Sequence, residues 1–131
     1  SDPNSNGEPY IAYCFHSVDG YSKVGSYKGN GNDDGTFVFT GFRPAFILCK
    51  HTSSGQSWQL HDTKRDTFNL AQKVLFPDIT NVEQDSADNG ALDFLSNGFK
   101  WRMDDADQNG NDALYTFLAI AETPFKYSNA R

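Results

Sequence analysis

Short runs of apolar residues, separated by polar turn residues, follow one another along most of the chain. Within residues 36–40, Phe37 and Phe39 would lie on one face of a strand and Val38 and Thr40 on the other, because side chains alternate in extended chain. Runs of this length and composition are typical of strands. The predicted strands span residues 10–18, 21–28, 36–42, 45–50, 57–62, 92–95, 99–103 and 113–122.

Residues with special backbone preferences divide these runs. The Gly/Asn/Asp-rich loop 29–35 tolerates positive φ, and Pro44 suits the start of a strand, where its missing N–H costs least. Asn97 and Gly98 stand between two apolar runs and form the strongest hairpin signal in the chain, because both accept φ > 0.

Residues 63–89 are the least regular part of the chain, and the capping-box spacing of Thr80 and Glu83 predicts a single helical turn there. Seven to eight strands with one long irregular connection predict an all-β fold, an antiparallel β-sandwich of the jelly-roll or concanavalin-like kind. Residues 13–15 and 117–119 have similar apolar character. We therefore expect the first and last strands to pair near the centre of one sheet.

The chain of 131 residues is long enough for one domain with its own core. Residues 1–9 are polar and contain Gly, Asn and Pro, which predicts a linker that precedes a single sandwich domain at 10–131. The chain begins with Ser rather than Met, as expected of a processed product or a piece of a longer protein.

Composition narrows the classes of function. Aromatic residues make up 15% of the chain, which favours sheets, and the formal net charge is −6. That charge argues against binding to nucleic acid or to an anionic membrane surface. No apolar run approaches the ~18 residues of a membrane span, so membrane insertion is not expected. Cys14 and Cys49 lie in apolar runs and are predicted to be free, buried thiols, with a single inter-strand disulfide as the alternative.

The loop after residue 104 contains the one candidate metal site. Asp105, Asp107 and Asn109 follow the start of a calcium-loop pattern, and Asp112 adds a further oxygen ligand. Position twelve of that pattern is Thr116 rather than Glu, and the flanking runs predict strands instead of helices. The alternative is a solvated hairpin loop. No other cofactor is expected.

A second group of residues combines aromatic and polar side chains. Trp58 and Trp101 could stack on sugar rings, and His61, Asp62 and Arg65 could form a polar cluster beside them. The competing interpretation places both Trp side chains in the core and pairs Asp62 with Arg65 at the end of a strand. No histidine has zinc spacing with another His or Cys.

No nucleophile elbow, Walker loop or dinucleotide-binding fingerprint occurs in the chain, so an enzyme is not expected. With seventeen acidic residues, a pair of carboxylates for glycan cleavage stays open as a minor alternative.

The chain contains the long strings YIAYCFHSVDGYSKVGSY (10–27), GNGN (29–32), TGFRPA (40–45), DFLSNGFK (93–100) and ETPFKYSNAR (122–131). Together they resemble a module of tailed-phage proteins, chiefly from phages of marine bacteria, that lies near the C-terminus of tail fibres or other virion appendages. The resemblance extends over nearly the whole chain after residue 9. It implies a location in the virion and carries no catalytic residues over.

The resemblance leads us to expect a non-enzymatic module for attachment to a host-surface glycan or protein, with other virion proteins as partners and a homotrimeric assembly. The expected binding surface is the loops 29–35, 51–56, 63–89 and 104–112. Two alternatives stay open: a purely structural virion module, such as a capsid decoration or a trimerisation module, and a glycan depolymerase domain.

Overall fold

The computed structural model describes residues 5–125, and within them nine strands form antiparallel sheets. The elements are β1 Ser22–Lys28, β2 Phe37–Phe39, β3 Pro44–His51, β4 Gln59–Asp62, β5 Lys73–Val74, β6 Gln84–Asp85, the one-turn α1 Ala87–Gly90, β7 Leu92–Leu95, β8 Gly98–Trp101 and β9 Leu114–Ala121. The all-β class is therefore confirmed, and the architecture is sandwich-like. Among the described residues no helix is long and apolar enough to span a membrane.

The larger sheet has four strands in the order β1-β9-β3-β4. Its long strand β9 pairs with β1 on one side and with β3 on the other. Tyr115, Phe117, Ala119 and Ala121 share one face of β9, as side-chain alternation requires, and all four are buried in the core. Their burial on one face orients the whole sheet.

The smaller sheet, in the order β2-β8-β7, covers the inner face of the larger one. The predicted hairpin forms β7 and β8, with Leu95 opposite Gly98. The two-residue turn is therefore Ser96 and Asn97, one position earlier than the sequence signal. Gly98 is required at the start of β8, because a Cβ there would overlap the carbonyl oxygen of Val38 in β2.

Aromatic rings from both sheets fill the space between them. Tyr27 stacks on Tyr115 with ring centroids 5.0 Å apart, and Phe99 meets Phe117 edge-on at 5.5 Å. Trp101 is completely buried in the same cluster. Each buried ring contributes roughly 1.5–3 kcal/mol of transfer free energy, so this layer holds the two sheets together.

The long connection between β4 and β7 is ordered by carboxylates that accept backbone hydrogen bonds. Asp62 Oδ1 accepts from the amides of Lys64 and Arg65, both at 2.9 Å. Asp66 Oδ2 accepts from the amides of residues 72 and 73 at 2.8 and 2.6 Å. The helical turn predicted at 80–83 is wrong, because the only turn of helix in this connection is α1.

The predicted strand at residues 10–18 does not form. Residues 11–18 are exposed, and their one ladder contact is a bridge between Val18 and Ser22. The predicted pairing of this segment with the last strand is also wrong, because β1 and β3 occupy both edges of β9. Residues 10–17 lie as an irregular segment beside the larger sheet and are called the arm below.

The two cysteines differ in environment. Cys49 is a buried free thiol as predicted, and burial raises its pKa to about 12. Cys14, in the arm, is an exposed free thiol, so the prediction of burial is wrong there. Parts of the predicted linker (residues 1–4) and of the C-terminal tail (126–131) lie outside the described residues.

Candidate functional site

A row of apolar side chains crosses the outer face of the larger sheet. Strand register places Val24, Leu118, Leu48 and Leu60 side by side on β1, β9, β3 and β4. These residues alternate with the core-facing ones, so they point away from the smaller sheet. The sheet therefore has apolar residues on both faces, and its outer face forms the floor of a groove.

The groove has a volume of about 600 Å³ and is open to solvent. Tyr13 and Phe15 from the arm stand on one side, and Trp58, Pro77 and Asp78 on the other. Tyr13 is 81% exposed and Trp58 36% exposed, so both rings present surface to solvent. Three aromatic rings thus line a concave surface, an arrangement common in ligand sites.

Two sets of hydrogen bonds position these walls. Ser17 Oγ lies 3.0 Å from the amide of Val24 and 3.3 Å from its carbonyl oxygen, and Ser22 Oγ donates to the carbonyl of His16 at 2.7 Å. On the opposite side, the amide of Trp58 donates to Asp78 Oδ1 at 3.1 Å. The arm and the 77–78 segment are therefore tied to the sheet on either side of the groove.

The groove contains little charge. Asp78 is the one ionisable carboxylate among its described lining residues, and Thr116 uses its hydroxyl to donate to the carbonyl of Gly25 at 3.3 Å. Among residues 5–125, Asp78 accepts a bond at Oδ1 and leaves Oδ2 as a hydrogen-bond acceptor at the rim. The site therefore favours apolar or ring-shaped surfaces with a donor group at one end.

The structure separates the predicted ligand-binding residues. Trp58 lies at the groove, whereas Trp101 and His61 are completely buried with their rings 5.5 Å apart, so neither offers a surface for stacking. Asp62 and Arg65 form an ion pair at 2.8 Å at the end of β4, and Glu83 accepts a second bond from Arg65 at 2.6 Å. This is the ion-pair alternative of the sequence analysis.

His61 occupies an unusual place for a histidine. Both of its ring nitrogens are buried without a hydrogen-bond partner among the described residues. Burial lowers its pKa from 6.5 to about 4, and the opposing attraction of Asp66 and Asp62 is smaller. His61 is therefore neutral near pH 7 and acts as a core residue.

The predicted calcium loop is built around a buried asparagine. Asn109 Nδ2 donates to Met103 O at 2.7 Å and to Asn30 Oδ1 and Asn32 O, both at 2.9 Å. Its Oδ1 accepts from the amide of Asn30 at 3.1 Å. This side chain joins the loops 29–35 and 104–112, so its polar atoms are occupied by protein partners.

The acidic members of this loop have separate partners. Asp105 Oδ1 accepts from the amide of Asp107 at 2.7 Å, and Asp107 Oδ2 accepts from Gln59 Nε2 at 3.0 Å. Burial raises the pKa of Asp107. Asp112 forms an ion pair with Lys28 at 2.8 Å, and the hydrogen bond from Lys28 lowers the pKa of Asp112. Between residues 5 and 125 no group of three or more His, Cys, Asp or Glu side chains could hold a metal ion. Calcium binding by this loop stays a prediction.

Sequence reasoning missed the arm as part of the site. Residues 10–18 have almost no polar alternation, which favours a strand covered on both faces rather than aromatic rings at an open surface. Of the four loops predicted as the binding surface, one reaches the groove, through Pro77 and Asp78 of the 63–89 connection. The one sequence signal that could have indicated this position is the aromatic content of residues 10–15 next to a proline and a polar terminus.

Fold and groove together define an all-β, sandwich-like protein with an open aromatic groove on one sheet. A family model described as a domain of unknown function (DUF7483) matches residues 1–124, and the chain belongs to this family. Comparisons with curated proteins and with solved structures returned no match.

Proposed function

We propose that this chain is a non-enzymatic module of a tailed-phage tail fibre or other virion appendage, and that it attaches the virion to a glycan on the host surface. The virion context rests on the sequence strings that resemble appendage modules. The attachment role rests on one observation, the groove of about 600 Å³ with exposed aromatic walls.

The chemistry of the groove supports a sugar ligand. Sugar rings have apolar C–H faces that pack on aromatic rings, and hydroxyl groups that donate to carboxylates. Tyr13, Phe15 and Trp58 supply the rings, and Asp78 supplies the acceptor. With one carboxylate among the described lining residues, the groove lacks the acid pair that glycoside cleavage uses, which favours binding over hydrolysis.

A purely structural virion module is the second candidate. Phe37 and Phe39 project from the smaller sheet and are exposed by 44% and 62%. Exposed aromatic side chains of this kind are enriched where another protein packs. This observation favours contact with a neighbouring virion protein and is compatible with a groove that binds glycan elsewhere on the surface.

Binding to intact host cells and to a glycan array tests the proposal. We expect specific binding that Trp58→Ala reduces at least tenfold, because truncating an aromatic anchor in a binding pocket costs about 2 kcal/mol or more. The matched control is Phe68→Ala, since Phe68 is 84% exposed and does not line the groove.

Calcium and a chelator form a second arm of the same experiment. Binding that survives chelation and is reduced by Trp58→Ala assigns recognition to the groove without a metal. Binding lost on chelation would assign a metal site, with the 104–112 loop as the first candidate. A folded sample that binds neither cells nor glycans, or binding that Trp58→Ala leaves unchanged, would overturn the proposed groove.

A further inference from the structure

The groove on the larger sheet has one carboxylate and no cation among its described lining residues. Asp78 is the acid, and none of the other described lining residues is Asp, Glu, Lys, Arg or His. Sites that bind carboxylate or phosphate groups usually pair them with Arg or Lys side chains. This lining therefore offers an anionic ligand repulsion without a compensating partner.

A lysine lies beside the groove, but backbone carbonyl groups engage it. Lys50 is opposite Thr116, a lining residue, in the ladder between β3 and β9. Its Nζ donates to the carbonyl of His51 at 2.8 Å and to the carbonyl of Ser54 at 2.9 Å. These bonds direct the ammonium group to the 51–54 turn, and Lys50 does not line the groove.

Asp78 lies next to the residue that supplies the aromatic ring of the same wall. The amide of Trp58 donates to Asp78 Oδ1 at 3.1 Å, and the Asp78 side chain is exposed at the rim. A sugar ring that packs on the Trp58 indole therefore has hydroxyl groups close to this carboxylate. An ionised carboxylate only accepts hydrogen bonds, so a hydroxyl can donate to it and a second carboxylate cannot.

We propose that the groove selects uncharged glycans over anionic ones and that Asp78 sets this specificity. The inference rests on the proposed function and names the chemical class of glycan that the groove takes. Discrimination between two ligands comes from a group that repels the wrong one as well as from contacts with the right one. The net charge of −6 adds a weaker repulsion of acidic polysaccharides at longer range.

The exposure of Asp78 sets the size of the effect. We expect an anionic glycan to bind roughly fivefold more weakly than its uncharged counterpart at low salt, a factor that corresponds to about 1 kcal/mol. Because the Asp78 carboxylate is exposed, salt screens the repulsion. The preference should therefore shrink when sodium chloride is raised from about 20 mM to about 500 mM.

A matched pair of glycans tests this specificity. The first is the uncharged glycan that binds most strongly on the array, and the second is the same glycan with its primary hydroxyl groups oxidised to carboxylates. Isothermal titration calorimetry with the full chain measures both affinities, and their ratio cancels any general loss of binding. We expect Asp78→Asn to reduce the roughly fivefold preference to about twofold or less. The amide oxygen of Asn still accepts from the amide of Trp58, so this wall keeps its support.

Asp33→Asn is the matched control, since Asp33 is an exposed aspartate that does not line the groove. It changes the net charge by the same single unit, and we expect it to keep the native preference. Equal affinities of the native chain for the two glycans, or equal relaxation by Asp33→Asn and Asp78→Asn, would overturn the inference.

The array itself separates failure of the inference from failure of the proposed function. Anionic glycans that bind best, and that Trp58→Ala releases, would overturn the selection of uncharged glycans and keep the groove as a glycan site. An array on which the folded chain binds no glycan would overturn the proposed function, and the inference with it.

Discussion

Lowering the pH from 7.5 to 5 should destabilise this protein through one residue, His61. The residue is fully buried on the inner face of β4, and its two ring nitrogens have no partner among the described side chains and backbone groups. Burial lowers its pKa from 6.5 to about 4. Below pH 6.5 the His61 side chain of the unfolded chain binds a proton, whereas in the folded chain it binds one only near pH 4.

The sign and size of the change in the free energy of unfolding follow from proton linkage. Because the unfolded state binds more protons between pH 6.5 and 4, the free energy of unfolding falls as the pH is lowered through this window. A shift of 2.5 pKa units, from 6.5 to about 4, corresponds to at most about 3.4 kcal/mol at 1.36 kcal/mol per unit. At pH 5, where the folded histidine is still mostly neutral, the loss is about 2 kcal/mol.

Urea unfolding at pH 7.5, 6 and 5, followed by tryptophan fluorescence, measures this effect. The control is His61→Gln, which keeps a polar side chain of similar length but removes the titration. We expect the native chain to lose about 2 kcal/mol more than His61→Gln between pH 7.5 and 5. Equal pH slopes for the two proteins would refute the argument that burial keeps His61 neutral.

Three further changes test other parts of the structure. Asn109→Asp should destabilise the chain by roughly 3–5 kcal/mol in urea unfolding, because it buries a carboxylate against carbonyl oxygens. Recovery of this stability in millimolar calcium would instead reveal a metal site. Gly98→Ala should cost roughly 1–3 kcal/mol through overlap with the neighbouring strand, whereas Gly55→Ala, with open space around it, should be neutral by the same assay. A thiol reagent should modify the exposed Cys14 rapidly and Cys49 only after denaturation, because burial raises the pKa of the Cys49 thiol to about 12. Rapid modification of both thiols in the folded chain would contradict this packing.

Strand β4 shows what the two-residue period predicts and what it does not: it groups side chains by face but does not tell which face is buried. The two-residue period places Trp58 and Leu60 on one face and Gln59 and His61 on the other, and hydrophobicity alone favours the first pair for the core. Pairing with β3 instead turns Gln59 and His61 inward, opposite Cys49 and Ile47. The Nε2 of the inward glutamine donates to Asp107, 48 residues away, a partner that no local pattern indicates.

In the calcium-like loop and in the arm, too, the local sequence suggests one role and the tertiary structure shows another. The spacing of Asp105, Asp107 and Asn109 suits a metal, yet the tertiary structure uses Asn109 to join two loops that are about eighty residues apart in sequence. The composition of the arm is typical of a buried strand. Its exposure follows from the pairing of β9 with β1 and β3, which leaves no position for another strand at the centre of the sheet.

Local physical chemistry in the chain itself determined the all-β class, the turns at glycine and asparagine, the hairpin near Asn97 and which residues of β9 share a face. These features depend on φ preferences and on the alternation of side chains, which act over a few residues. Which face of each strand is covered, and which aromatic rings remain at the groove, depends on contacts between segments far apart in sequence. Only the tertiary structure decided those, because burial is a property of the assembled sheets.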